Sequence, residues 1–434
     1  MKTNVSMKTK PIKTHEGARA KRINPELQLR RSVMACLLFE KEFYEEGEDI
    51  ASRIADGVAD VAPEIVAAIA VEAREKMKLR HVPLWIVRHM AKLPEHKKLV
   101  AKTLEQVIQR ADELAEFLAI YWKDGREKLS NQVKKGLALA FPKFSSYNLA
   151  KYNRDGAVKL RDVLFLCHAK PKDAEQAQVW KQLIDGKLAA PDTWEVALSA
   201  GKNKKETWER LIKEKSLGAL ALLRNLRNMN DAKVSEDAVR SALNDIKIER
   251  VLPYRFIAAA RYAPQWEPEL EKAMLKCLAA ADKLAGKTLL MIDVSGSMDY
   301  KLSDKSELTR IDAACGLAIL LREVAENVTV YTFSQSNKLV PARHGFALRD
   351  AIEKSQEHGG TDIGGAVNLA NRTEHDRLII ITDEQSHTTV ADPVSKKAYV
   401  INVASNQNGV GYGAWTHVDG FSEAVVDYIK AYEG

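Results

Sequence analysis

An apolar run that ends in a row of side-chain oxygens constrains this chain more than any other stretch. In Met291-Ile292-Asp293-Val294-Ser295-Gly296-Ser297-Met298, the run from Thr288 to Ile292 is short, continuous and preceded by Gly286, the pattern of a strand buried on both faces. Asp293 then stands at the strand's C-terminal end, the edge where open α/β sheets bind ligands. Gly296 lets the loop turn so that Ser295 and Ser297 face the same point. A second apolar run, Arg377-Leu378-Ile379-Ile380-Ile381-Thr382-Asp383, also ends in a carboxylate, so a parallel sheet brings Asp383 to the edge that holds Asp293. Between the two, Gly359-Gly360-Thr361-Asp362 is a turn into a helical pattern, from which Thr361 reaches that edge. Carboxylate and hydroxyl oxygens are hard ligands, which makes Asp293, Ser295, Ser297, Thr361 and Asp383 a candidate cup for Mg²⁺, with Mn²⁺ as the alternative, rather than for Zn²⁺. Taken alone, D-x-S-x-S also reads as turn residues with a capping role; the order of the three loops favours the metal.

The same edge carries little for catalysis. Asp293 has no second carboxylate two residues away, no Lys placed after a strand and no Gly-rich phosphate loop that would make it a phosphoryl acceptor. His387 is the one candidate base near Asp383 and reads as a surface loop residue. The chain is expected to be non-catalytic. Strand patterns near Asn327 to Phe333 and Ala398 to Val403 alternate with helical stretches near Glu307 to Glu326, Asp362 to Arg372 and Phe421 to Tyr432, so residues 286–434 are expected to form a doubly wound α/β domain.

Upstream the periodicity is helical almost throughout. Residues 26–285 give amphipathic stretches at Leu27 to Tyr44, Ile50 to Val61, Glu64 to Met77, Pro83 to Met90, Lys98 to Tyr121 and Val133 to Phe141, with Pro63 and Pro83 suited to first helical turns. Successive helix pairs with short turns read as a HEAT-like α-solenoid without a strict sequence period. Residues 1–25 form a basic arm with Lys8, Lys10, Lys13, Arg19, Lys21 and Arg22, mobile or ordered only against the rest of the protein.

Composition narrows the setting. A chain of 434 residues with 46% hydrophobic and 29% charged residues has room for two or three domains and a sizeable core. No apolar run is long enough to cross a bilayer, and the basic N-terminus is not followed by a signal-type apolar core. Cys36, Cys167, Cys277 and Cys315 are far apart with no zinc-type spacing, which fits reduced thiols in a cytoplasmic protein. The net charge of +7 is split: residues 1–285 hold 52 Lys and Arg against 39 Asp and Glu, whereas residues 286–434 hold 14 against 20. An N-terminal part at +13 beside a C-terminal part at −6 points to a polyanion for the first part; a well-solvated helical surface is the plainer alternative.

Two resemblances follow from these residues. The three oxygen-bearing loops resemble the metal-ion-dependent adhesion site of a von Willebrand factor A domain, from about Lys287 to the C-terminus. That arrangement implies one metal position left open for a partner's carboxylate. The helical part is similar to the TROVE domain of the Ro autoantigen family. Val158 to Pro171, with Asp162-Val163-Leu164-Phe165-Leu166-Cys167-His168-Ala169-Lys170-Pro171, matches its D-L-L-x-L-x-H-x-K-P segment. Leu217 to Leu226 matches its A-L-L-R-N-L segment, and Arg250 to Tyr262 resembles the next. Val403-Ala404-Ser405-Asn406 and Val418-Asp419-Gly420-Phe421 resemble the family's ending, and the order of the two parts is the family's.

The resemblance implies an α-helical HEAT-like repeat ring followed by the von Willebrand factor A domain, acting as a monomeric ring. It also implies binding of Y-like RNA on a basic outer surface, acceptance of single-stranded 3′ ends of misfolded RNAs, and partnership with a 3′ exoribonuclease. Carried over by position, His168 and Lys151 fall on RNA-binding residues of the family, with Lys170 beside them. The family's arginine aligns with Asp155, and Arg154 is its neighbour. A carboxylate there repels phosphate, so either Arg154 supplies the contact or the contact is missing. Read alone, His168 is a core histidine on an apolar helix, and Tyr152 is either packing or a base-stacking ring. The expected function is a non-catalytic RNA-binding scaffold for structured noncoding RNA. The main alternative is a metal-dependent protein-binding scaffold with no RNA role.

Overall fold

The structure is a computed structural model that describes residues 13–14, 17–19, 24–34, 47–153, 156–189, 196–197, 203–246, 251, 253–279, 283–302, 308–404, 409–411, 413–420 and 424–433. By compactness the chain divides into two units, one of residues 37–39 and 47–247 and one of residues 1–36, 40–46 and 248–434. That division differs from the boundaries expected from sequence at 25/26 and 285/286. The reason is packing: helices Pro253–Tyr262 and Glu267–Leu278 lie against helix Arg310–Val324, and helix Pro25–Met34 against the last strand of the sheet.

The helical unit is built from short helices, several of them capped by a side chain at the N-terminus. Ser130, Asp173 and Asn203 accept the N–H of Val133, Gln176 and Glu206 at 3.3, 2.7 and 3.3 Å, satisfying helix-start donors that would otherwise lack partners. Helices Pro63–Glu75, His81–Lys92 and Lys97–Val107 pack on one another, and the last packs on Asn131–Ala140. Gly136 makes that last crossing close, because a Cβ there would lie 2.9 Å from the Ala101 carbonyl oxygen. Val66, Ile69, Leu84, Ile86, Val100, Leu104, Val133 and Leu137 are fully buried between these helices, each burial stabilising by roughly 1.5–3 kcal/mol.

The stretch expected to be one helix from Lys98 to Tyr121 is two, Lys97–Val107 and Asp112–Tyr121. The break is made by Glu113. Its buried carboxylate accepts the N–H groups of Gln109 and Arg110 at 2.8 and 2.9 Å and the Arg74 guanidinium at 2.8 Å, which starts a new helix where a continuous one would bury an unpaired charge.

In the other unit six strands run in the order β3-β2-β1-β4-β5-β6: β1 Leu284–Asp293, β2 Ala325–Phe333, β3 Asn337–Leu339, β4 Arg377–Thr382, β5 Lys397–Asn402 and β6 Thr416–Asp419. All neighbours are parallel except β2 and β3. Leu289, Met291, Leu378, Ile380, Ala398 and Val400 face helix Ile363–Ala370 in one core cluster. Their alternate neighbours Leu290, Ile292, Ile379 and Ile381 are equally buried on the opposite face, where helix Arg310–Val324 packs on β1. The doubly wound α/β class expected from the sequence is the one found, as is the helical class of the other unit. Among the described residues no helix is long and apolar enough to cross a membrane. Cys167 and Cys315 are free and buried; Cys36 and the Cys277 side chain lie outside the described residues.

The described part of the N-terminal arm is ordered against the sheet unit. The Thr14 hydroxyl donates to the Ser386 carbonyl at 2.7 Å, and Arg31 from helix Pro25–Met34 is fully buried in an ion pair with Glu384. Glu384 has a left-handed backbone (φ 60°), unusual for a residue with a Cβ, and its Oε1 accepts the Gly411 N–H at 2.6 Å. Its other oxygen meets His417 Nε2 at 2.9 Å. Burial would raise the Glu384 carboxyl, but Arg31 and His417 hold it well below the usual carboxylate range. Burial would likewise lower His417, yet Asp419 and Glu384 carry it up to about 9. At the C-terminus, Arg377 and Lys397 pair with Glu433 of helix Ala424–Glu433. Burial would raise Glu433, and the hydrogen bonds from Arg377 and Lys397 bring it down to about 2.

Two outcomes are expected from these ion pairs. Arg31→Met leaves the buried Glu384 carboxylate short of a counter-charge, which costs about 3 kcal/mol; thermal unfolding of this unit should fall by roughly 5 °C or more. For Glu433, whose folded value lies below the 4.5 of a free carboxyl, the stabilisation is present above about pH 4.5 and is lost as pH falls toward 2. The melting-temperature gap between the parent and Glu433→Gln should therefore be largest near neutrality and close at acid pH; a gap independent of pH would refute the assignment.

Candidate functional site

Asp293 and Asp383 end adjacent parallel strands. Ile292 of β1 pairs with Ile381 of β4, which sets Asp293 beside Thr382 and Asp383 one residue beyond, on the side where the strand order switches. Asp293 is held on both oxygens. Oδ1 accepts the Ser295 N–H at 2.8 Å and Oδ2 accepts the Thr382 hydroxyl at 2.6 Å. Ser295 and Ser297 bring their Oγ atoms to 3.2 Å of each other. The loop they share is fixed to the second loop by the Gly296 N–H, which donates to the Gly359 carbonyl at 2.9 Å.

Gly296 turns the loop without a left-handed backbone. A Cβ there would stand 3.3 Å from the His358 carbonyl oxygen, so the glycine serves the close approach of the two loops. The second loop is tied to the end of β2. Ser334 Oγ accepts the Gly359 N–H at 2.8 Å and the Ser334 carbonyl accepts the Asp362 N–H at 2.9 Å. Thr361 lies between these ties, buried, and its carbonyl accepts the His387 N–H at 3.0 Å. The Asp362 side chain caps helix Ile363–Ala370 through the Gly365 N–H at 2.8 Å. His387 itself is exposed.

All five oxygen-bearing residues thus belong to three loops at one sheet edge, and four of them are buried: Asp293, Ser295, Thr361 and Asp383. Burial and the charge of Asp383 push the Asp293 carboxyl up to about 7, the behaviour of two carboxylates that share too little countercharge. A hard dication between them would supply it, and hydroxyls of Ser295, Ser297 and Thr361 complete an oxygen donor set suited to Mg²⁺. Among the described residues no group of three or more His, Cys, Asp and Glu is placed to hold a metal; this set has only two carboxylates, and its remaining donors are hydroxyls. Two residues of the site carry no signal of their role in the sequence. Thr382 is legible there as the last strand residue, with nothing to say that it points at Asp293. Arg310, buried, donates from Nη1 to Asp383 Oδ2 at 3.1 Å and comes from a helix outside the three loops, so only the tertiary structure reveals it.

In the helical unit the predicted RNA residues are at the surface. His168 is exposed at the C-terminus of helix Leu160–Cys167 with a left-handed backbone (φ 54°), and Lys170 is exposed two residues later. The reading of His168 as a core histidine does not hold: buried Leu164 and Cys167 face inward, and the left-handed cap turns the chain outward just after them. Lys151 is half-buried on helix Ser146–Tyr152, with Nζ 6.0 Å from the Tyr147 ring and 5.8 Å from the Tyr152 ring. The Arg110 guanidinium lies 4.7 Å from the Tyr152 ring. Tyr152 therefore already carries two cations, while Tyr147, not singled out from sequence, is 50% exposed, and Phe165 of the His168 helix is 57% exposed. Arg154 and Asp155, the two candidates for the family's arginine position, lie outside the described residues.

The TROVE domain family matches residues 185–339 and the Ro60 vWA domain family matches residues 287–399, the two overlapping from 287 to 339. The helices that carry Lys151 and His168 precede both matches. No curated protein matches the chain. Among solved structures, the crystal structure of the Ro (Rsr) protein of Deinococcus radiodurans superposes with a TM-score of 0.61 at 20% identity, covering 94% of this chain and 99% of that one. At that identity the likeness is one of fold. A circular tandem repeat protein with a novel repeat topology, at 12% identity, covers 69% of this chain and 76% of its own, but its TM-score of 0.15 carries no argument. A TROVE match followed by a Ro60-type vWA match in one polypeptide, over residues 185–399, makes this part of the chain similar to the two domains of Ro-like proteins, in the same order.

Proposed function

We propose that this RNA-binding Ro-like protein is a non-catalytic scaffold whose helical unit binds structured, Y-like noncoding RNA and single-stranded 3′ ends, presenting them to a 3′ exoribonuclease for quality control or 3′ processing. The observation that carries the reading is the exposed cation and aromatic group of the helical unit. Lys151, His168 and Lys170 offer phosphate contacts, Phe165 offers an exposed ring, and Tyr147 is half exposed beside the Lys151 ammonium. The charge of the chain supports it, since the +13 half is the half that holds these residues.

The sheet unit has a different task in this proposal. Asp293, Ser295, Ser297, Thr361 and Asp383 would hold Mg²⁺ or Mn²⁺, which there acts as a Lewis-acidic anchor for an acidic side chain of a partner. The chain's own residues fix the geometry: Thr382 and the Ser295 N–H orient Asp293, and the Gly296 N–H locks the first loop to the second.

A Lys151→Ala, His168→Ala, Lys170→Ala variant should bind structured RNA at least about tenfold more weakly at fixed salt, since each charged contact contributes ~1 kcal/mol or more. Unchanged affinity in a filter-binding assay would remove this surface from the account. The metal and RNA sites should also be separable. Asp293→Asn and Asp383→Asn should each abolish Mg²⁺ binding in calorimetry while leaving RNA affinity within about threefold of the parent. A loss of RNA binding equal to that of the basic-surface variant would mean that the metal contributes to RNA binding directly.

A further inference from the structure

Two of the candidate metal ligands are buried carboxylates, Asp293 and Asp383, and the chain supplies its own cation to the second. Asp383 Oδ2 accepts from Arg310 Nη1 at 3.1 Å, with both side chains out of solvent. Arg310 is not part of any of the three loops. It is the first residue of helix Arg310–Val324, and its position is fixed three times over. Its N–H donates to the Tyr300 carbonyl at 3.0 Å. Thr309 before it closes a capping box with Asp312, through an Asp312 N–H to Thr309 hydroxyl bond of 3.2 Å and a Thr309 N–H to Asp312 bond of 2.9 Å. Asp312 in turn is held by Arg261 at 2.8 Å. With its backbone fixed at this helix start, Arg310 sets a guanidinium beside Asp383 as a permanent positive charge at the edge of the candidate metal centre.

We propose that Arg310 is a built-in counter-ion of the metal centre, which stabilises the carboxylate pair without a metal and weakens the affinity for divalent cations. The inference rests on the reading of the three loops as a metal centre. Its physical basis is simple. In a site of low dielectric, a fixed +1 charge sharing a carboxylate with an incoming +2 ion repels that ion strongly. The same charge offsets the desolvation of Asp383 when no ion is bound, so folding of the domain does not require the metal. The site then behaves as an exchangeable docking point whose occupancy follows the ambient Mg²⁺ concentration and the arrival of a partner carboxylate, rather than as a structural metal site.

The test uses the full-length protein with Mg²⁺ or Mn²⁺ alone as the probe, comparing the parent with Arg310→Gln and Arg310→Lys. Glutamine keeps a hydrogen-bond donor for Asp383 and removes the charge; lysine keeps the charge and loses the planar fork. Calorimetry should show Arg310→Gln binding Mg²⁺ at least about tenfold more tightly than the parent, and Arg310→Lys within about threefold of it. In chelator, Arg310→Gln should melt roughly 5 °C or more below the parent, and saturating Mg²⁺ should restore most of that difference. If the parent binds Mg²⁺ and Arg310→Gln binds it no more tightly, the counter-ion role is wrong while the metal centre stands. If neither ion binds the parent or either variant, the metal reading itself fails and this inference falls with it.

Discussion

Two carboxylates that end neighbouring parallel strands, both sealed from solvent, set the terms for the sheet unit. Asp293 is pushed up to about 7 by burial and by Asp383, and such a pair persists in a folded core only where it is compensated. The compensation is distributed over several elements. The Ser295 N–H and the Thr382 hydroxyl serve Asp293, Arg310 serves Asp383, and Ser297 and Thr361 bring further oxygens that a dication could use. The strand order places both carboxylates at the one edge where the chain reverses its direction of sheet growth, so the loops converge without long excursions.

The residue after Asp383 extends this network to the beginning of the chain. Glu384, in a left-handed conformation, is the meeting point of Arg31, His417 and the Gly411 N–H, and Thr14 ties the next turn through Ser386. A buried ion cluster of this kind stabilises less through its attraction than by forbidding arrangements in which any member is left alone. Here it specifies which N-terminal segment docks on this sheet and fixes the backbone that carries Asp383.

In the helical unit the organising constraint is the opposite one. Its interior is largely apolar, with the Arg74–Glu113 pair buried in it, while its functional candidates sit at helix ends and turns, where side chains such as His168 and Lys170 leave the helix without disturbing the core. The helical unit thus presents cations to solvent while burying Arg74 and Arg88, and the sheet unit buries Arg31, Arg310 and Arg377.

Patterns carried by consecutive residues are legible in the sequence alone. Apolar runs of strand length ending in Asp293 and Asp383, the Gly-Gly-Thr turn between them and the helical periodicity upstream are local signals, because strand burial and helix amphipathicity are written in neighbouring positions. They determined the fold class and that Asp293 and Asp383 lie at the ends of neighbouring parallel strands. The tertiary structure decided what depends on residues distant in sequence. Arg310 reaches Asp383 across 73 positions and Arg31 reaches Glu384 across 353. Glu113 splits a helix by turning inward to Arg74, and Gly296 is needed for the approach of the His358 loop rather than for its own backbone. The physical reason is that a charge or a close approach acts through space, and one sequence records which residues are present but not which of them the fold brings within a few ångströms of each other.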